Sequence, residues 1–227
     1  MLRELVDGID FYETIVDMGE EITFLTKPEI KQFASIAPHR TTNTTDGSYW
    51  YTGAMTFDSV EQQNSLIGEY FIRQTNPIPK NILTAVMPEN TTDKMATVYS
   101  VECNEKIDVF SHYQGTGEYN EWGEEIEEPV YLARDVDCYM TVTLSKLEDT
   151  VPGKLVKTIS TFILPAKITL SENNIIFKKD FVFNPKTNQN EYTDVKYTIE
   201  SIDTSMMDVV DGKFVGVLKC MATKDIE

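Results

Sequence analysis

The sequence predicts a mainly all-β protein: an antiparallel β-barrel or sandwich with an N-terminal extension of mixed α/β content and long loops. Short runs of β-branched and aromatic residues follow one another after residue 95, separated by Gly, Asn and Pro turns. No segment after residue 95 has the length and apolar spacing of a long helix. We therefore predict two units, residues 1–95 and residues 96–227, with the boundary in a proline-punctuated region.

The start of the first unit favours one short helix and one strand. Apolar spacing over residues 2–18 favours a short amphipathic helix that ends at Gly19. Glu21–Thr26 has strand composition and is stopped by Pro28. Residues 29–37 fit a helical turn or another strand equally well.

A polar run, His39–Gly47, follows and has no apolar periodicity. It predicts an exposed contact arm, with His39, Arg40 and Asp46 as candidate contact residues. Ser48–Phe57 then has strong strand composition, and Val60–Ile72 is ambiguous between a helix and a strand.

The second unit reads as a succession of short strands. An Asn173-Asn174 pair between two apolar runs predicts a two-residue hairpin turn. The predicted strands are Ala96–Val101, Ile107–Tyr113, Val130–Val136, Tyr139–Leu144, Lys157–Leu164, Lys167–Leu170, Ile175–Phe177, Phe181–Phe183, Tyr197–Ile202 and Phe214–Met221.

The most distinctive segment is an acidic hairpin between Ile107–Tyr113 and Val130–Val136. Gly115-Thr116-Gly117 predicts a turn, and six glutamates with no cation among them follow between positions 118 and 128. A solvated hairpin tip is the ordinary interpretation. The functional alternative is a negative projection that meets a partner or lines a passage, and calcium binding is a weaker third option.

Trp122 lies in the middle of this acidic segment. It either packs back on its own hairpin or anchors a subunit contact. The candidate interface or lumen residues are Glu118, Glu121, Trp122, Glu124 and Glu125.

Motifs of catalysis, cofactor binding or metal binding are not recognisable in the sequence. Three widely spaced cysteines and two histidines do not match the close ligand pairs of zinc sites. Tyr49-Trp50-Tyr51 resembles a stacking platform, although alternating aromatic residues in a strand usually face a core. We expect a non-enzyme without a catalytic residue, cofactor or metal.

The formal net charge of −17 disfavours tight binding to nucleic acid. Residues 1–8 lack the apolar core of a signal peptide, and the most apolar stretch, Ile159–Leu164, is far too short to span a bilayer. We therefore expect a protein made in a cytoplasm, with no membrane partner.

Residues 100–221 resemble the head-closure (head–tail joining, or stopper) proteins of tailed bacteriophages. Two departures stand out: members of that family are near half this length, and Asn173-Asn174 stands where the family usually has Gly-Asp. The matching segments are Ile107–Phe110, Gly115–Glu124, Pro129–Arg134, Gly153–Val156, Thr158–Pro165, Ile168–Ile176 and Tyr197–Asp203.

This resemblance implies a structural virion protein that forms a homo-oligomeric ring at the phage neck. Its partners would be the portal or connector on the head side and a tail terminator or tail tube on the tail side. Genomic DNA would pass through without specific binding, and the ring would help retain it. The protein would reside in the virion, and in the host cytoplasm during assembly. A tail terminator or tail-tube protein is the alternative, followed by a carbohydrate-binding β module.

Overall fold

The structure, a computed structural model, describes residues 15–26, 31–39, 50–88, 94–150, 153–184, 188–210 and 212–224. Every strand pairing in these residues is antiparallel. The all-β prediction is confirmed, and the strands form two closed barrels in succession along the chain.

The first unit goes beyond the expected mixed extension, because it is itself a closed barrel. Its ring order is β1-β2-β3-β6-β5-β4, and β4 pairs back with β1. The predicted helix over residues 2–18 lies mostly outside the described residues, although residues 15–18 are helical and Gly19 follows them. The strands are β1 (Glu20–Phe24), β2 (Lys31–His39), β3 (Trp50–Thr56), β4 (Tyr70–Arg73), β5 (Asn81–Pro88) and β6 (Met95–Glu102).

The ambiguous segment Val60–Ile72 contains both a helix and a strand. Helix α1 (Val60–Leu66) begins after Ser59, whose Oγ accepts a hydrogen bond of 3.2 Å from the Gln62 backbone N–H. The fully buried Leu66 packs into the core of the first barrel, and the chain then turns into β4. Both periodicities were therefore real but belonged to consecutive elements.

The second barrel has the ring order β7-β8-β9-β13-β11-β10, closed by the pairing of β10 with β7. A short strand, β12, pairs with residues 213–216 at the beginning of β13. The strands are β7 (Glu105–Tyr119), β8 (Glu125–Thr150), β9 (Gly153–Pro165), β10 (Ile175–Asn184), β11 (Gln189–Asp203), β12 (Met207–Val210) and β13 (Lys213–Lys224).

Strands of the second barrel are longer than predicted. Val130–Val136 and Tyr139–Leu144 are parts of the single strand β8. The first predicted strand contains a bulge at Asp135, which has φ 52° and donates its N–H to Asp108 Oδ1 at 2.8 Å. Asp137 and Cys138, which separated the two predicted strands, continue β8 and pair with Lys106 and Glu105.

The predicted hairpin at Asn173-Asn174 is wrong. Residues 167–170 are not a strand, so the two asparagines end the connection from β9 to β10 instead. Asn173 adopts a left-handed φ of 70°, and Asn174 Oδ1 accepts from the Ser171 N–H at 2.7 Å. The turn chemistry was correct, but the element before the turn was misassigned.

An apolar interface joins the two barrels. Ile82, Val101 and Cys103 of the first barrel pack against Tyr139, Ile163 and Val217 of the second. Close to this core, the Tyr70 hydroxyl donates to the Asp137 carbonyl at 2.5 Å, and Lys80 Nζ lies 2.5 Å from Asp137 Oδ2. Burial raises the pKa of Tyr70, so its hydroxyl remains a donor.

The junction of the barrels differs from the expected boundary near residue 95. Met95 begins β6, which pairs with β3 and β5 and completes the first barrel. The chain crosses between the barrels at Cys103 and Asn104. The prolines near residues 77–88 therefore mark turns and a strand end within the first barrel.

Three buried thiols predict a loss of stability at alkaline pH. Burial raises the pKa values of Cys103 and Cys220 to about 12, and that of Cys138 well above its ordinary 9. The unfolded thiols ionise first, so this stabilisation is complete below about pH 9 and lost as pH rises towards 12. We expect a loss of up to about 4 kcal/mol in the free energy of unfolding for Cys103 and for Cys220, and a loss in the same direction for Cys138.

Urea unfolding measured from pH 7 to pH 11 tests this expectation. Cys220→Ala should lower stability at pH 7 through a small cavity, but should reduce the decline above pH 9. An alkaline decline as steep as that of the wild type would contradict the proposed role of the thiol.

Candidate assembly arm

A two-stranded arm, defined as residues 111–131, projects from the second barrel. Strand β7 pairs with β10 only as far as Phe110, and β8 pairs with β9 only from Tyr139 onward. Between these limits β7 and β8 pair with each other, out to Tyr119 opposite Glu125. At about 3.3 Å per residue the arm reaches roughly 25 Å from the barrel.

An aromatic cluster holds the base of the arm. The ring of Phe110 lies 4.9 Å from that of Tyr113, 6.1 Å from Tyr131 and 5.9 Å from Phe177 on β10. The Arg134 guanidinium stacks 4.8 Å above the Tyr131 ring. Since Phe110 is buried and belongs to the barrel, these contacts fix the direction in which the arm leaves it.

The turn at the tip is organised by Asn120. Its Oδ1 accepts hydrogen bonds from the backbone N–H groups of Trp122 and Glu124, at 2.9 and 3.0 Å. Its carbonyl accepts from Gly123, which has a left-handed φ of 79°. These local bonds define the backbone at the tip without any apolar packing.

Trp122 is the most exposed large apolar side chain described, with 86% of its surface accessible. The alternative in which it folds back on its hairpin is therefore wrong for this structure. The arm also exposes Tyr113, Tyr119 and Ile126, at 58%, 67% and 40%. Large aromatic side chains held in the open on an ordered arm are typical of contact sites.

The glutamates of the arm share its exposed surface. Glu125 bends back along the strand, and its Oε1 accepts from the Gly117 N–H at 3.0 Å. Gly115 and Gly117 belong to β7 rather than to a turn, and the side chain of Glu125 occupies the space above Gly115. Five predicted residues thus come together near the tip: Glu118, Glu121, Trp122, Glu124 and Glu125.

The other predicted contact arm is only partly described. His39 is the last residue of β2, where its backbone pairs with Trp50. Arg40 and Asp46 lie outside the described residues.

The aromatic run at residues 49–51 is held to the first barrel through Tyr51. The Tyr51 hydroxyl donates to Glu102 Oε2 at 3.2 Å, which ties the Tyr51 ring to β6.

Two further hairpins of the second barrel were not anticipated as projections. β8 and β9 pair out to Thr150 opposite Gly153, and β10 and β11 pair out to Asn184 opposite Gln189. Since successive antiparallel strands turn at alternate ends, both tips lie at the end opposite the arm. The alternating composition of residues 139–164 and 175–202 was the available signal, but it does not reveal how far a strand extends.

The described residues contain no group of three or more His, Cys, Asp and Glu side chains placed to hold a metal ion. Among the same residues, no helix has the length and apolar character needed to cross a bilayer. No family model, curated protein or solved structure matches the chain.

Proposed function

We propose that the protein is a structural subunit of a tailed-phage neck, which assembles with further copies into a ring between the head and the tail. The observation that supports this most is the ordered arm that holds Trp122 away from the barrel, 86% exposed. A projection with an aromatic tip suits insertion into a neighbouring subunit. A contact between unlike surfaces of identical chains closes into a ring when its rotation allows.

The open edges of the arm also favour assembly. After Phe110 on β7 and before Tyr139 on β8, the outer edges of the two strands have no neighbour within the described sheet. Such edges accept a strand from another chain through main-chain hydrogen bonds. An isolated two-stranded ribbon is only marginally stable, so docking would also stabilise the arm. The resemblance over residues 100–221 supports the neck as the location.

The oligomeric state of the purified chain tests this proposal. We expect native mass measurement and negative-stain imaging to show closed rings for the wild type. Trp122→Ala should weaken assembly at least about 30-fold, the effect of losing a contact worth 2 kcal/mol. Tyr192→Ala, which removes an aromatic ring exposed to 78% on the β10–β11 hairpin, is the matched control and should assemble normally.

Two results would contradict the proposal. One is a wild-type chain that stays monomeric at the highest concentration it tolerates. The other is a Trp122→Ala variant that assembles as well as the Tyr192→Ala control.

The charge of the arm predicts its position in an assembled particle. If the arm lines the DNA passage, its glutamates repel phosphates and let DNA move without binding. Replacing Glu121, Glu124 and Glu125 with Lys should then slow DNA ejection from the particles that assemble, with partial relief by salt. An arm on the outer rim should give no change in ejection.

Reversing the same number of exposed acids elsewhere controls for net charge. Glu61, Glu172 and Asp194 lie away from the arm, and their replacement by Lys should not slow ejection. Equal ejection rates for the two triple variants, in properly assembled particles, would place the arm outside the passage.

A further inference from the structure

The two barrels have the same strand order. If only the six strands of each ring are numbered, which leaves out β12, each barrel follows the ring order one, two, three, six, five, four. In both, a connection after the third strand crosses the barrel end and leads to a fourth strand beside the first. A shared strand order alone is common among small barrels. The residue-by-residue register of the strand pairings is the stricter test of whether the two barrels are repeats of one unit.

The registers agree around the whole ring. If Ile22 is set equivalent to Ile107, the pairings make Arg73 equivalent to Lys178 and Phe71 to Ile176. Following the remaining pairings from strand to strand returns to Ile22 and Ile107. The registers part only at the end of the second strand, where a bulge after Val142 has no counterpart in the first barrel. Even the bulge in the fifth strand falls at the same place, after Leu83 and after Ile199.

Side chains at equivalent positions make the same ion pair. Arg73 Nη2 lies 2.5 Å from Glu20 Oε1 in the first barrel. At the equivalent positions of the second, Lys178 Nζ lies 2.8 Å from Glu105 Oε1. In both barrels the pair joins the first strand to the fourth. These are side-chain contacts, so they are independent of the backbone pairings that define the register.

The entry to the fourth strand repeats as well. Gly68 and Asn173 are equivalent, and both are left-handed, with φ values of 84° and 70°. Their N–H groups donate to the carbonyls of the equivalent residues Leu83 and Ile199, at 2.7 and 2.9 Å. The residues that follow accept from the N–H groups of Leu83 and Ile199, at 3.2 and 3.0 Å.

We infer that the chain is a tandem repeat of one barrel unit that associates head to tail, and that its two outer faces are altered so that no further barrel can add through this contact. Among the equivalent strand positions, identical residues are few: Glu20 and Glu105, Ile22 and Ile107, Thr52 and Thr161. The arm then corresponds in sequence to the connection from β1 to β2, since residues 23–31 and 108–135 occupy equivalent places.

The contact between the barrels uses different faces of the two units. The first barrel contributes outward-facing positions of its fifth and sixth strands, Ile82 and Val101. The second barrel contributes outward-facing positions of its second and third strands, Tyr139 and Ile163. Unlike faces in contact make a heterologous arrangement, which would continue indefinitely if both outer faces kept these residues.

The outer faces do not keep them. On the second barrel, Thr198 and Thr223 stand at the positions of Ile82 and Val101. On the first, Ser35 and Ala54 stand at the positions of Tyr139 and Ile163. These four large apolar residues of the inner contact are thus replaced by small or polar ones, as in the terminal units of repeat proteins. This inference does not depend on the arm or on the proposed ring.

Restoring the apolar residues tests the inference. One variant carries Thr198→Ile and Thr223→Val, and a second carries Ser35→Tyr and Ala54→Ile. Both are made in the Trp122→Ala background, so that the arm does not contribute to association. We expect each variant alone to keep the mass of that background, and their mixture to form one-to-one complexes at least tenfold more tightly than either forms with itself.

A control separates a specific contact from general stickiness. Thr169→Val and Thr193→Ile add similar apolar surface at exposed, non-equivalent positions, and this variant should bind neither partner. If Ala54→Ile impairs folding, Ser35→Tyr alone serves as the second partner. Folded variants that form no mixed complex, or that associate with themselves as tightly as with each other, would overturn the inference.

Discussion

Alanine at Gly68 is expected to lower the free energy of unfolding by about 3 kcal/mol or more, because two separate costs combine there. Gly68 has φ 84°, a conformation that alanine adopts only with strain. A Cβ on Gly68 would also lie 1.9 Å from the carbonyl oxygen of Gly216 in the second barrel. Because that oxygen belongs to backbone, the barrels must separate to make room.

Gly212 is the matched control for this prediction. It has a similar φ of 72°, but a Cβ there would meet no atom within 4 Å. Gly212→Ala should therefore cost only about 1 kcal/mol, the backbone term alone. Equal losses for the two variants in urea unfolding would show that the close approach of Gly68 to Gly216 does not constrain the protein.

Phe71→Ala and Phe162→Ala are each expected to cost about 3–5 kcal/mol, and each should destabilise both barrels together. Phe71 is fully buried in the first barrel and Phe162 in the second. The interface of Ile82, Val101, Tyr139, Ile163 and Val217 is buried only when both barrels are folded. Unfolding one barrel would therefore expose the apolar face of the other, which makes a single transition favourable.

Hydrogen exchange in increasing urea can follow the amides of Leu83 and Ile199, one in each barrel. Both should become exchangeable at the same urea concentration in the wild type and in either Phe variant. Ile163→Asp, which places a carboxylate in the interface, should separate the two transitions. Loss of protection at Leu83 alone in Phe71→Ala would show that the barrels fold independently.

Much of the strand content could be predicted from composition, whereas the closure of the strands into barrels could not. Tyr139–Leu144 and Lys157–Leu164 alternate clearly because one side faces the barrel interior. The first barrel escaped prediction because its elements are short and its ring closes through the pairing of β4 with β1, far apart in sequence. Pairing between distant strands leaves no local pattern for a sequence to display.

The repeat was hidden for a related reason. Gly53 in the first barrel is equivalent to Phe162 in the second, while Phe24 and Phe71 are equivalent to Val109 and Ile176. Each barrel fills its interior with large residues at different positions, so residue types diverge while backbone registers persist. Two barrels can share nearly all of their strand registers and still show almost no sequence repeat.

The exposed tip of the arm could be located from the sequence, whereas the contacts that hold its base could not. The acidic residues and Trp122 stood out because a dense run of glutamates rarely includes a large aromatic side chain. The aromatic base at Phe110, Tyr113 and Tyr131 was missed, since strand aromatics look alike whether they fill a barrel or brace an arm.

The exposure of Trp122 also gives the protein a built-in optical reporter. The chain has two tryptophans, so Trp50→Phe leaves the indole at the arm tip as the sole source of tryptophan emission. A water-exposed indole emits at long wavelength, and burial against another subunit would shift that emission to the blue. Stacking against nucleic-acid bases would quench it instead. One fluorescence titration could therefore distinguish an arm that grips its neighbour from an arm that faces the DNA.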